Sequence, residues 1–304
     1  MVLPTPFERL LQECVQLSQQ DPQGAFARLD ELYGKSLSEA ELLQLSTFSV
    51  HLGAGGLGRF AETAALQRRM LGHPAVQEGS TTARSLWRAL AVVCTLDDKH
   101  DQASEAATRG VTSRSEECKL LIGCAQMLMV RGRVGDAVMR LRQTTLLCRD
   151  LEPQDEVLVQ VATVTGHILR QTEPQARLAH ELLLAAASAH SAALIRHPDW
   201  HFHHRAWFQH GHAYLLATKP SQALSCVQAM MELEDLHDAG PFERFHTASL
   251  ACRAQAIRGQ FKIAGGALEA CQDFAKRIQE PEQAAVAAQA LRDLEAFVDG
   301  ARQA

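Results

Sequence analysis

The feature that most constrains this chain is a recurring turn. Gly58, Asp98, Gly132, Thr218 and Gly259 each separate two amphipathic stretches. They recur at intervals of roughly 34 to 43 residues, with one interval twice as long, and a period of that length signals stacked two-helix units. The flanking stretches share a register. Trp87, Leu90, Ala91 and Cys94 precede Ala103 and Ala107; Leu121, Cys124, Ala125 and Leu128 precede Ala137 and Leu141. Trp207, His210, Gly211 and Tyr214 precede Ala223 and Val227; Ala248, Ala251, Cys252 and Gln255 precede Ala264 and Leu268. Two antiparallel helices approach closely only where small side chains face each other, and the large residues fill the gaps beside that contact.

Strand signals are nearly absent. Aromatics make up only 5% of the chain, against abundant Ala, Leu and Gln, which favours helix. Start signals recur: Ser38 with Glu41 and Ser113 with Glu116 have capping-box spacing, and Pro198, Pro220 and Pro281 suit first-turn positions. A weaker unit over Val159 to Ala185, with Gly166 in its first helix, fills the long interval.

Taken together, Trp207 to Met230 resembles the tetratricopeptide repeat, W-x2-L-G-x2-Y followed by A-x3-F over ~34 residues. Leu57 to Met70 resembles that repeat's turn and second helix. The resemblance covers residues 44–280 in degenerate form. It implies an all-α fold, a right-handed solenoid of about six helical hairpins. A helical pair within residues 1–40 precedes the repeats, and a capping helix over 281–304 closes the single solenoid domain, because such stacks need polar ends.

Charge and cysteine content narrow the function classes. A net charge of -5 argues against a nucleic-acid backbone binder. The start, MVLPTPF, lacks a basic leader region, and no apolar run reaches the ~18 residues of a membrane span; Leu182 to Ile195 reads as a buried helix interrupted by His190. The eight cysteines include no C-x-x-C pair and read as reduced core thiols of a cytoplasmic protein. Arginine outnumbers lysine and asparagine is missing, the composition of a GC-rich bacterial coding sequence.

Three constellations invite chemistry. Gly53 to Gly58 matches G-x-G-x-x-G, but no second strand with an acidic tip follows, so it reads as a glycine-rich turn between helices. Most of the 14 histidines lie between His180 and His246. His197, His201 and His204 have the spacing of one helical face for zinc, yet Pro198 displaces His197 and no H-E-x-x-H completes the set. They read as surface and interface histidines, with pH sensing as an intermediate option. The acidic turn Asp97, Asp98 and Asp101 and the basic group Arg131, Arg133, Arg140 and Arg142 read as solvated faces.

The resemblance implies one more site, a concave groove lined by first helices. The positions directly after each leading residue and each small residue would point into it. Those are Arg88 and Val92, Ile122 and Gln126, Phe208 and His212, and Ser249 and Arg253. A groove apolar in its middle and basic at its flanks suits a peptide with some acidic character. The expected function is a non-enzymatic scaffold or adaptor that binds a protein or peptide segment, with no cofactor. The alternatives are a regulatory module sensing a peptide or small ligand, and a histidine-rich helical metal protein or enzyme.

Overall fold

The computed structural model describes residues 5–33, 37–173 and 179–303. The fold is all-α and solenoid-like: helices pack on their neighbours in sequence, and no strand occurs among the described residues. The chain divides into two compact units, Met1–Leu147 and Cys148–Ala304. The boundary falls inside a helix.

The first unit opens with α1 (Pro6–Gln20), α2 (Pro22–Ala27) and α3 (Leu29–Tyr33), so the second helix of the expected pair is broken at Arg28. Phe7, Cys14, Phe26, Leu29 and Leu32 close a core with Leu42, Leu45, Leu66 and Met70 of the next helices. These are α4 (Glu39–Ser49), a π-helical segment (Val50–Leu57), α5 (Phe60–Leu71), α6 (Thr81–Leu96), α7 (His100–Gly110) and α8 (Arg114–Val130). Helix α9 (Val134–Asp150) crosses the boundary. The second unit continues with α10 (Glu156–Thr172), α11 (His180–Leu194), α12 (Trp200–Leu216), α13 (Pro220–His237), α14 (Pro241–Ile257), α15 (Phe261–Arg277) and α16 (Pro281–Gln303). Helix α16 lies on α14 and α15 and buries Ala287, Leu294 and Val298, as expected of a capping helix.

The recurring turns are one structure repeated. Three-residue links join α6 to α7, α8 to α9, α12 to α13 and α14 to α15. The middle residue of each is left-handed: Asp98 at φ 55°, Gly132 at 71°, Thr218 at 57° and Gly259 at 71°. The following residue donates its N–H five positions back, Lys99 to Cys94 O at 2.9 Å, Arg133 to Leu128 O at 2.9 Å, Lys219 to Tyr214 O at 2.8 Å and Gln260 to Gln255 O at 2.9 Å. This is the Schellman cap, which satisfies carbonyls that a helix end leaves without partners. The corresponding turn of the weak unit between α10 and α11 lies outside the described residues.

Small residues do sit at the helix contacts. Ala91, Ala125, Ala137, Ala223 and Ala264 are buried. A Cβ on Gly211 would stand 2.4 Å from Leu250 Cδ2 and 3.2 Å from Cys226 Cβ. Helices α14 and α15 approach so closely that the Cys252 thiol donates to the Ala264 carbonyl at 3.3 Å. All eight cysteines are buried and none forms a disulfide among the described residues, and burial pushes the Cys252 thiol up to about 11.

Local signals were partly re-used. Ser38 and Glu41 form the expected capping box. At α8 Ser113 accepts from Glu116 N, but the Glu116 carboxylate turns to Thr112, whose N–H donates to it at 2.8 Å. Pro220 and Pro281 open their helices, whereas Pro198 stands before the cap Asp199, which accepts from His201 N.

Candidate functional site

Helices α12 and α14 pack on each other, as do α14 and α16, so first helices stack directly through the C-terminal part of the second unit. Helices α10 and α12 do not pack in this way. Between them, over α11, lies a half-open cleft of about 680 Å³, within the ~300–1,000 Å³ range of small-ligand sites. Leu158, Val159 and Ala162 of α10, Leu194 of α11 and Phe202 of α12 give it apolar walls.

His190 forms part of the lining and is only 6% exposed. Its Nδ1 lies 3.0 Å from the Ala162 carbonyl, which can only accept, so Nδ1 carries the proton. Burial holds the imidazole well below its ordinary range, at about 4; the Ala162 contact opposes this and the Arg205 and Arg170 charges add to it. The ring is therefore neutral at pH 7, and its Nε2 is a buried acceptor without a partner among the described residues. Gln209 Oε1, also in the lining, is a second buried acceptor without one. Gly166 keeps the floor low: a Cβ there would lie 3.5 Å from His190 Cε1 and 3.7 Å from Arg170 Nη1. The sequence offered two signals for this site, a histidine inside the alanine-rich helix and a glycine within α10, but Arg170, Arg205 and Gln209 carried none.

The groove positions named from the sequence are distributed differently. Arg88 is buried and works as an internal tie, donating to Gly110 O at 2.7 Å and Glu116 Oε1 at 3.0 Å. It does not face an open groove, because α7 and α8 close over it. Burial raises the Glu116 carboxyl, but hydrogen bonds from Thr112 and Arg84, with the Arg88 charge, hold it down at about 2. Ile122 is likewise buried. Val92 and Gln126 are brought together beside Gly123, in a depression of about 170 Å³ lined also by α4 residues. All four belong to the first unit.

In the second unit, Phe208 is half-buried with its ring centroid 4.8 Å from that of His246. His212 Nε2 lies 3.0 Å from Glu173 Oε1. Arg253 covers the Phe297 ring at 5.4 Å, so the capping helix occupies it. Ser249 is buried.

The other constellations resolve locally. His204 is buried between Glu234, at 2.9 Å, and Thr247, at 3.1 Å. His201 Nδ1 lies 2.7 Å from Asp199, and His197 Nδ1 accepts from Asp199 N. The three histidines do not converge, and no group of three metal-ligating side chains is found among the described residues. The glycine run is the π-helical extension of α4, not the end of a strand. A Cβ on Gly53 would stand 2.3 Å from both Phe26 Cε2 and Thr63 Oγ1. The acidic and basic turns meet rather than stand apart, with Arg133 paired to Asp98 at 2.9 Å and to Asp136 at 2.7 Å. Arg131 reaches back to Gly55 O at 3.4 Å.

Among the described residues, no helix is long and apolar enough to cross a membrane. No family model matches the chain, and no curated protein matches it.

Proposed function

We propose that the chain is a non-enzymatic binding module of the tetratricopeptide-repeat type, an adaptor that responds to a small ligand held between α10 and α12. The repeat type rests on the shared register and the four identical caps. The observation that carries the function is the cleft itself: first helices stack elsewhere in that unit, and here a space of ligand size stands in place of the stack. Its apolar walls, with polar and charged groups among the lining to orient a ligand, are the usual make-up of a ligand site. A ligand filling it would tie α10 to α12 and couple occupancy to the packing of neighbouring repeats.

Thermal-shift screening of a chemically diverse panel of small molecules tests this. The Gly166→Met variant leaves room for its Cβ but drives the longer side chain into the cleft. Compounds that stabilise the wild-type chain should leave Gly166→Met unshifted. Equal shifts in both proteins would remove the cleft as the site.

A protein segment laid across the repeats is the second reading, the scaffold that the sequence suggested. The half-exposed Phe208 and Phe242, both packed on His246, favour it, because aromatic side chains anchor interfaces.

A further inference from the structure

We propose that the α10–α12 cleft is a binding site for a small amphipathic organic acid, a carboxylate on an apolar chain with an N–H donor beside it. The inference rests on the ligand-binding reading above and adds the chemical class.

Charge fixes the head group. Arg170 and Arg205 line the cleft, are exposed, and form no ion pair or hydrogen bond among the described residues. The arginines of the first unit that border comparable helix junctions are engaged: Arg84 and Arg88 by Glu116, Arg133 by Asp98 and Asp136. Two free guanidiniums at one site favour a carboxylate, for which their planar forks are suited.

The opposite end fixes the orientation. Asp155 and Glu156 line the cleft at the start of α10, and Asp155 accepts from Val157 N at 3.0 Å to cap that helix. An acid head is repelled there and attracted at the arginines. From Leu158 to Arg170 the α10 axis advances ~18 Å at 1.5 Å per residue. Along that path lie Leu158, Val159, Ala162 and Phe202, a wall for an apolar chain.

The floor supplies the third element. His190 Nε2 and Gln209 Oε1 are both acceptors, both withdrawn from water and both without partners among the described residues. An unmet buried acceptor is costly; neither atom is open to water in the cleft, so a ligand N–H meets one of them through a small turn of the His190 or Gln209 side chain on binding. Arg170 Nη1 and the His190 ring both lie within van der Waals reach of a Cβ built on Gly166, so the anion and donor positions are adjacent. An N-acyl amino acid has this pattern: amide N–H, carboxylate and apolar chain.

Isothermal titration of the full chain with four probes below their micelle concentrations tests the assignment. The probes are N-decanoylglycine, its methyl ester, N-decanoylsarcosine, which lacks the N–H, and decyltrimethylammonium. We expect saturable binding of N-decanoylglycine, at least about tenfold weaker binding of the ester and the sarcosine analogue, and none of the cation. The double variant Arg170→Gln, Arg205→Gln should weaken N-decanoylglycine at least about tenfold; its folding is checked by an unchanged melting temperature, since both side chains are exposed. Absence of saturable binding, equal binding of ester and acid, equal binding of the sarcosine analogue, or an unaffected double variant would each overturn the proposal. Neutral or cationic compounds that stabilise the wild type but not Gly166→Met would overturn the acid and leave the cleft standing as a ligand site.

Discussion

At the scale of single residues, the turns show where sequence and backbone disagree. A Schellman cap needs a left-handed residue, which glycine adopts freely and a β-branched residue does not. Gly132 and Gly259 fill that place, but Thr218 holds it at φ 57°. Thr218→Gly should therefore raise stability by ~1 kcal/mol, read from denaturant midpoints at unchanged slope. A loss of stability would mean that the threonine makes up its strain elsewhere. The same comparison shows why the turns were legible. Gly, Asp and Thr look unrelated as letters, yet their spacing from the preceding small residue placed them correctly. Arg88 was misplaced for the converse reason. Its position after Trp87 matched the groove pattern, and nothing local revealed that Glu116, 28 residues away, would draw it inside.

At the scale of elements, the helix pairs depend on a few close approaches. Leu250 and Cys226 crowd the space in front of Gly211, so α12 touches α13 and α14 through one bare backbone position. Gly211→Leu should overpack that junction and cost roughly 1–3 kcal/mol, measurable by chemical denaturation. A neutral outcome would show that the contact can open without loss. The pairing of helices was readable because small residues recur at one spacing, as with Cys252 and Ala264. The cleft was not, because it arises from what two helices fail to do. Nothing in the sequences of α10 and α12 reports that their axes stay apart, and the free arginines gain meaning only from that separation.

At the scale of the whole molecule, the histidines decide the response to acid. Burial lowers His190, His210 and His246 to about 4 each. His210 stacks on Tyr214, and His246 packs among Phe208, Phe242 and Phe245. Their folded values lie below the unfolded value of 6.5, so the unfolded chain takes up protons first as pH falls. Their contribution is complete above that value and is lost progressively from pH 6.5 towards 4, on the order of a few kcal/mol each. Glu116, held at about 2, adds its own loss only below the ordinary carboxylate range. Denaturant midpoints should fall between pH 7.5 and pH 5, and His246→Phe should shrink that fall. An unchanged slope in the variant would exclude His246 as a source. The density of histidines thus stood out in the sequence, but which of them are buried depends on neighbours that several helices bring together, as Phe208, Phe242 and Phe245 do around His246.

The π-helical segment bears on counting. At the other four turns the closing bond joins residues five apart, whereas Arg59 N reaches Gly53 O, six apart. Each added residue rotates an α-helix by about 100°. Wound as α-helix, this stretch would deliver Phe60 and all that follows to the wrong side of α4. The wider winding absorbs the odd residue, so the phase of the later repeats survives a miscount in the first.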